Sequence, residues 1–274
     1  MASVNRRILP GFSLSIGYTV FYLSVLVLLP IAACFAKAGS LSFDTFWNAV
    51  WTERSRAAYS LTFGAALGAA LANLVLGSLV AWVLVRYQFP GKRLVDALVD
   101  LPLALPTAVG GLVYASLYVK TGWLGRLLVP LGLNVAYTRL GIVLVLVFVG
   151  LPFVVRTVQP VLEEFDPEAE EASASLGATR FQTFFHVILP SLFPALITGF
   201  ALAFARSIGE YGSVVFISGN MPYKTEIAPI LIVARLEEFA YGEATAIAVI
   251  LLVISFSMLV LINLLESWSR RHAG

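Results

Sequence analysis

Glu171-Ala172-Ser173-Ala174-Ser175-Leu176-Gly177 and, after nine intervening residues, Val187-Ile188-Leu189-Pro190 lie in a polar loop between two long apolar runs. Just upstream, Asp166-Pro167-Glu168 reads as a helix start. Aspartate accepts from the free N–H groups of a first turn, and proline fits the first helical position. Glu168, Glu170 and Glu171 then fall in or near that turn, where the helix dipole favours negative charge. Gly177 suits the position just past the helix end, where a positive φ is needed and a Cβ is costly. Thr179 can cap a second helix, along which Phe181, Phe184, Phe185 and Ile188 recur at helical spacing. Pro190 and Pro194 mark the return to apolar sequence. The pattern predicts a helix–turn–helix over about residues 163–190 whose short first arm stands away from the apolar runs.

Those runs set the class of the molecule. Of 274 residues, 59% are hydrophobic and 12% charged, and the mean hydropathy is +0.89. A soluble domain is ~half apolar and ~a quarter charged, so this composition belongs in a bilayer. A spanning helix needs ~20 mostly apolar residues. Six runs qualify: Leu14–Ala36, Leu61–Val85, Ala97–Tyr118, Leu140–Leu162, Ser191–Ile217 and Ala244–Leu265. In lipid the backbone must satisfy its own hydrogen bonds, so each is read as a helix. The segments between and beyond are too short for a soluble catalytic domain. The expected organisation is a single all-α polytopic membrane domain, residues 1–274, with six transmembrane helices. Arg6, Arg7 and Ile31-Ala32-Ala33-Cys34 mimic a lipoprotein leader. The first apolar run exceeds the ~7–15 residues of a signal core, however, and reads as a retained helix.

Several chemistries are excluded. The lone Cys34 rules out an internal disulfide and a multi-cysteine metal site. His186 and His272 are too few for a histidine-rich metal centre, and no histidine stands beside a nucleophile. The chain has no Gly-x-x-x-x-Gly-Lys-Ser/Thr cradle for nucleotide phosphates; Gly91-Lys92 is followed by Arg93. No cofactor, catalytic residue or nucleic-acid partner is expected, and if ATP drives the protein another polypeptide must bind it.

The spacing Glu171-Ala172, Gly177, Leu189-Pro190 resembles the loop of ABC-importer membrane subunits that reads Glu-Ala-Ala, three residues, Gly, nine residues, Ile-x-Leu-Pro. Ser173 stands for the second alanine and Val187 for the isoleucine. Residues 100–111 (Asp-Leu-Pro-Leu-Ala-Leu-Pro-Thr-Ala-Val-Gly-Gly) and 205–222, with Arg235-Leu236-Glu237-Glu238-Phe239 downstream, are similar to oxyanion permeases. The similarity is greatest to the T-type membrane subunits of sulfate/thiosulfate importers and extends from Leu98 to Trp268.

The resemblance implies a type I ABC importer (MetI-like) permease fold and inward transport of sulfate or thiosulfate. It implies that Glu170, Glu171, Ala172, Gly177, Phe181, Leu189 and Pro190 couple the subunit to its ATPase. The implied partners are an ATPase dimer holding ATP and magnesium, a second, W-type permease, an external sulfate/thiosulfate-binding protein, and membrane lipids. Such a loop must be cytoplasmic, and an even helix count then leaves both termini inside a bacterial-type cytoplasmic (inner) membrane. The cluster Arg86, Lys92, Arg93 and the pairs Arg6-Arg7 and Arg270-Arg271 agree with that orientation. The alternatives are the same machine for molybdate or tungstate, and an ATP-independent anion transporter.

Within the membrane, Arg206 and Glu210 are four residues apart, so on a helix they share a face. They read either as an ion pair that fixes helix register or subunit contact, or as a guanidinium placed on an anion's path. Ser207 and Thr107 offer hydroxyls. Pro102 and Pro106 disturb a helix, and Gly219-Asn220 ends the fifth run. These eight residues are the candidates for a translocation path or a subunit interface. The acidic group from Glu163 to Glu171 reads as a solvated face able to dock basic residues.

Overall fold

A computed structural model describes residues 12–272, with side chains for residues 14–264. Arg6 and Arg7 lie outside the described residues, as do the side chains of Trp268, Arg270, Arg271 and His272. All regular structure among the described residues is helical. The first apolar run forms α1 (Phe12–Leu23), continued through a π turn at Ser24–Leu28 into α2 (Leu29–Gly39). Next come α3 (Phe43–Val50) and α4 (Glu53–Arg86), started by Ser42 and Thr52, whose hydroxyls accept from Thr45 N and Ser55 N at 3.2 and 3.0 Å. The third run supplies α5 (Lys92–Val99), α6 (Leu101–Ala104) and α7 (Thr107–Tyr118). A short α8 (Gly125–Leu128) precedes α9 (Arg139–Glu163) and α10 (Pro167–Ser175). Then α11 (Arg180–Thr183) runs through a π turn at Phe184–Ile188 into α12 (Leu189–Ile208). The chain closes with α13 (Val214–Ile217), α14 (Ala228–Glu237) and α15 (Tyr241–His272).

Five continuous rods are long and apolar enough to cross a bilayer: Leu14–Gly39, Glu53–Arg86, Arg139–Glu163, Arg180–Ile208 and Tyr241–Leu264. They match five of the six expected runs. The third run departs from the expected single helix. Only α7 of it is a sustained apolar helix, and its 12 residues rise ~18 Å, short of the ~30 Å hydrocarbon core. The cause is local. Pro106 disfavours helical backbone at the residue before it, and Leu105 is extended (φ −82°, ψ 140°). The expected start, Ala97–Val99, belongs instead to amphipathic α5. Arg156 of α9 holds that helix, bonding Asp96 Oδ1 at 2.6 Å and Asp100 Oδ2 and Oδ1 at 2.6 and 2.9 Å. The fifth run is displaced as well: its rod begins at Arg180, ends at Ile208, and leaves Glu210 beyond the helix.

The core is the junction of α4, α9 and α12. Ala66, Ala70 and Ala81 of α4 are buried there against Val154, Val155 and Val158 of α9 and Ala203 and Phe204 of α12. In lipid, helices associate by close packing rather than by expelling water, which favours such small residues at the contact. Asn73 sits within this junction, fully buried, and neither atom of its amide has a hydrogen-bond partner. The α15 helix packs outside, against α12, α14, α3 and α2. The first rod touches the body mainly through α2, and among its described side chains, residues 14–39, only Ala38 is buried.

Candidate functional site

The loop at one end of the bundle is built as its sequence indicates. Asp166 Oδ1 accepts from Glu168 N at 2.9 Å and starts α10. At the other end, Ala178 N donates to Ser173 O at 3.1 Å and Gly177 N to Ala174 O at 2.9 Å. Those bonds close the helix around Gly177, whose φ is +86°. Thr179 and Gln182 form a reciprocal capping box for α11. The hydroxyls of Ser173 and Thr183 meet at 2.9 Å and tie the two arms together.

Tertiary contacts then fix α10 on the bundle. Arg86, the last residue of α4, pairs with Glu170 and stacks over the Trp82 ring at 5.1 Å. Trp82 meets Phe184 edge-on at 5.6 Å. A continuous set of contacts therefore joins α10 to α4 and to the rod leading into α12. A cavity of about 390 Å³ lies beneath, lined by Trp82, Glu170, Glu171, Ala174, Phe184 and Ile188 among others. The predicted Phe181/Phe184/Phe185/Ile188 stripe splits. Phe184 and Ile188 turn toward the body, while Phe181 and Phe185 stack on each other on the surface, 6.3 Å apart. Leu176 and Phe181, 89% and 78% exposed, stand at the loop's tip as uncovered apolar groups. Glu171 and Ala172 are exposed on α10, and Leu189 and Pro190 open α12. The acidic group is not uniformly solvated: Glu170 is spent on Arg86, and Glu163 accepts from Gln159 Nε2 at 3.0 Å.

The eight intramembrane candidates separate into three places. Pro102 is buried in α6, near the loop end. Gly219 and Asn220 turn the chain at the opposite end, with φ +73° and +50°, and Asn220 Nδ2 donates to Val215 O at 3.2 Å. The other five gather near two helix breaks, one at Leu105-Pro106 and one between α12 and α13. Thr107 begins α7, and its hydroxyl lies where a Cβ on Gly212 would come within 2.2 Å. A Cβ on Gly111 would stand 2.1 Å from the Ser213 carbonyl, so only glycine admits this approach. Ser213 donates from N and Oγ to Glu210 Oε1 at 2.9 and 2.7 Å. The other oxygen of Glu210 meets Arg206 Nη1 at 2.5 Å. Glu210 is 2% exposed, so its charge is buried and compensated within the chain. Ser207 is spent on Ala203 O at 2.8 Å.

Sequence reasoning used Arg86 only for orientation and gave Trp82 and Arg156 no part in the bundle. Two signals were available: Trp82 and Arg86 are four apart at the end of an apolar run, and Asp96 and Asp100 are four apart in the segment that follows. Neither signal names the partner across the fold.

Comparison with known proteins gives a consistent picture. A family model described as "Binding-protein-dependent transport system inner membrane component" matches residues 73–271. The sulfate transport system permease protein CysT of Synechocystis sp. is 54% identical over 256 residues, covering 93% of this chain and 90% of that one. Its namesake in Salmonella typhimurium is 49% identical over 275 residues, covering 100% and 99%. Among solved structures, a bacterial alginate ABC transporter in complex with an alginate pentasaccharide-bound periplasmic protein superposes with a TM-score of 0.76 at 20% identity, covering 95% and 94%. The MetNI methionine ABC transporter, inward facing, gives 0.54 at 20% identity, covering 85% and 100%.

Proposed function

Because the chain belongs to the family of binding-protein-dependent transport system inner membrane components, it is a multi-pass membrane permease subunit of an ABC importer, and we propose that its cargo is sulfate, with thiosulfate as the related anion. It is a transport subunit, and ATP hydrolysis belongs to a separate ATPase subunit. Identity of about half the residues over nearly the whole length of proteins named as sulfate permeases supports the cargo.

The observation that carries the mechanism is the capped α10 arm, with Leu176 and Phe181 uncovered at its tip and Glu170 held by Arg86. In this reading α5, α6 and α7 together make the third crossing, so the arm lies on the cytoplasmic side with both termini, and it seats in a groove of an ATPase dimer that binds ATP and magnesium. Closure of that dimer pushes α10, and the contacts through Arg86, Trp82 and Phe184 carry the push to α4 and α12. The breaks at Pro106 and at Gly209–Ser213 are where the rods yield. Thr107, Arg206, Ser207 and Glu210 flank the path or its boundary with a W-type partner permease. A binding protein delivers the anion from outside.

The test is radiolabelled sulfate uptake in cells with and without the chain, in a background lacking other sulfate systems. Uptake that depends on the chain and on ATP, and that thiosulfate inhibits better than molybdate, is the expected result. Uptake unchanged by loss of the chain overturns the cargo.

A further inference from the structure

We propose that the end of the molecule opposite α10 holds a binding site for a tetrahedral oxyanion, built by Arg139, Ser60 and Tyr223. A cavity of about 340 Å³ opens there, with Ser60, Leu61, Gly64, Arg139, Val143 and Tyr223 in its lining and no carboxylate. Arg139 is the first residue of α9, and its Nε donates to the Lys224 carbonyl at 2.9 Å. That bond orients the guanidinium and leaves both Nη groups without a protein acceptor among the described residues. The other arginines of the neighbourhood are engaged elsewhere, Arg56 over the Trp51 ring at 5.9 Å. Arg54 grips Glu226 with bonds of 2.8 and 2.7 Å, and Arg235 is paired with Glu238 at 2.6 Å.

The second group is Tyr223, held at φ +64°. A turn fixes it there: Thr225 N and Glu226 N donate to Met221 O at 2.9 and 3.1 Å, and Met221 N donates to Thr225 Oγ1 at 3.0 Å. A non-glycine residue keeps such a backbone only where its surroundings over-determine it, often at ligand clamps. The third group, Ser60, is exposed on α4, and its hydroxyl, like that of Tyr223, has no partner among the described residues.

The polar lining can therefore supply donors throughout: the two free Nη groups of one guanidinium and two hydroxyls. A fully ionised oxyanion accepts hydrogen bonds and donates none, and guanidinium matches its geometry. Leu61 and Val143 add apolar lining, while Arg139, Ser60 and Tyr223 are solvent-exposed and within reach of an anion from outside. The N-terminus of α9 adds the positive end of a helix dipole. In the proposed orientation this is the outer end, where an imported anion enters. The inference thus rests on the anion-import reading above. The same chemistry is offered by transported sulfate and by the phosphate of a lipid headgroup, and the experiment separates them.

The full complex, with its ATPase, partner permease and binding protein, is reconstituted in proteoliposomes. Sulfate moved per ATP hydrolysed and anionic phospholipid retained in native mass spectra are both read. Arg139→Gln lowers sulfate per ATP by about tenfold or more, the scale of a lost charge-assisted hydrogen bond, and Arg139→Lys recovers part of it. Gly64→Leu gives the same loss by filling the cavity, because a Cβ at Gly64 meets no atom within 4 Å. One variant changes the charge and the other the space, so a folding failure of either leaves the other readable on a native gel. Unchanged sulfate per ATP with loss of a bound anionic phospholipid in Arg139→Gln assigns the site to lipid phosphate. Variants that equal wild type in both readouts overturn the site. A wild-type complex that moves no sulfate overturns the cargo reading instead, and the ratio is then read with molybdate.

Discussion

Gly177 shows how one residue can carry a mechanical role. Its φ of +86° closes α10, and a side chain added there would meet open space. The constraint is therefore backbone strain, ~1–2 kcal/mol for most L-residues, and asparagine and aspartate bear it best. Charge can be separated from strain on that basis. Gly177→Asp puts a carboxylate between Leu176 and Phe181 and is expected to abolish ATP-driven uptake while the protein stays in the membrane. Gly177→Asn, of similar shape and no charge, retains measurable uptake. Wild-type uptake by the aspartate variant removes the coupling role. Asn73 presents the converse case, a polar residue with no visible reward. Its amide is fully buried and unpartnered at the contact of three rods. An orphaned buried amide costs ~1–3 kcal/mol, so Asn73→Leu should raise the thermal unfolding midpoint of the purified subunit in detergent. A lowered midpoint, together with loss of assembly, indicates that the amide meets a partner in the complex.

At the scale of elements, the third run decides how the bundle can move. Pro106 has no N–H to offer the Pro102 carbonyl, and it keeps Leu105 extended. Pro106→Ala removes both obstacles and joins α6 to α7. Uptake is expected to fall about tenfold, in the manner of hinge substitutions, while the complex still runs intact on a native gel. Unchanged uptake shows that the break does not yield during transport. The prolines were legible as a disturbance, and the structure turns that disturbance into an interruption. What could not be read locally is why α5 stays at the bundle's end: Asp96 and Asp100 are drawn to Arg156, 60 and 56 residues away. The same limit applies to the fifth run. Hydropathy carries it through to Ile217, whereas the helix ends at Ile208 and the Glu210 carboxylate beyond it accepts from Ser213 and meets Arg206.

For the whole molecule, the two ends differ in chemistry, and the orientation can be tested directly. One end offers the α10 arm with its apolar tip. The other carries Arg139, Lys224 and the exposed Phe239. With Cys34 replaced, single cysteines at Leu176 and Phe239, both well exposed, report the sides. An impermeant maleimide is expected to label Phe239→Cys in intact cells and Leu176→Cys only after the membrane is opened. The reverse pattern inverts the molecule and removes the ATPase from α10. The first rod, in which Ala38 alone is buried among residues 14–39, is the least covered of the five.

Taken by itself, the sequence determined the class of the molecule and its local grammar. The apolar runs demanded helices, and Asp166, Gly177 and Thr179 set the ends of the projecting arm. Each of these follows from residues within a turn or a span of one another, where chain connectivity already supplies the proximity. The tertiary structure alone decided which charges meet. Arg86 and Glu170 lie 84 residues apart, and Arg54 and Glu226 lie 172 apart. Such pairs form only after α4, α9 and α12 have packed, because the approach of their helices, and not the spacing of their codons, sets the distance between them.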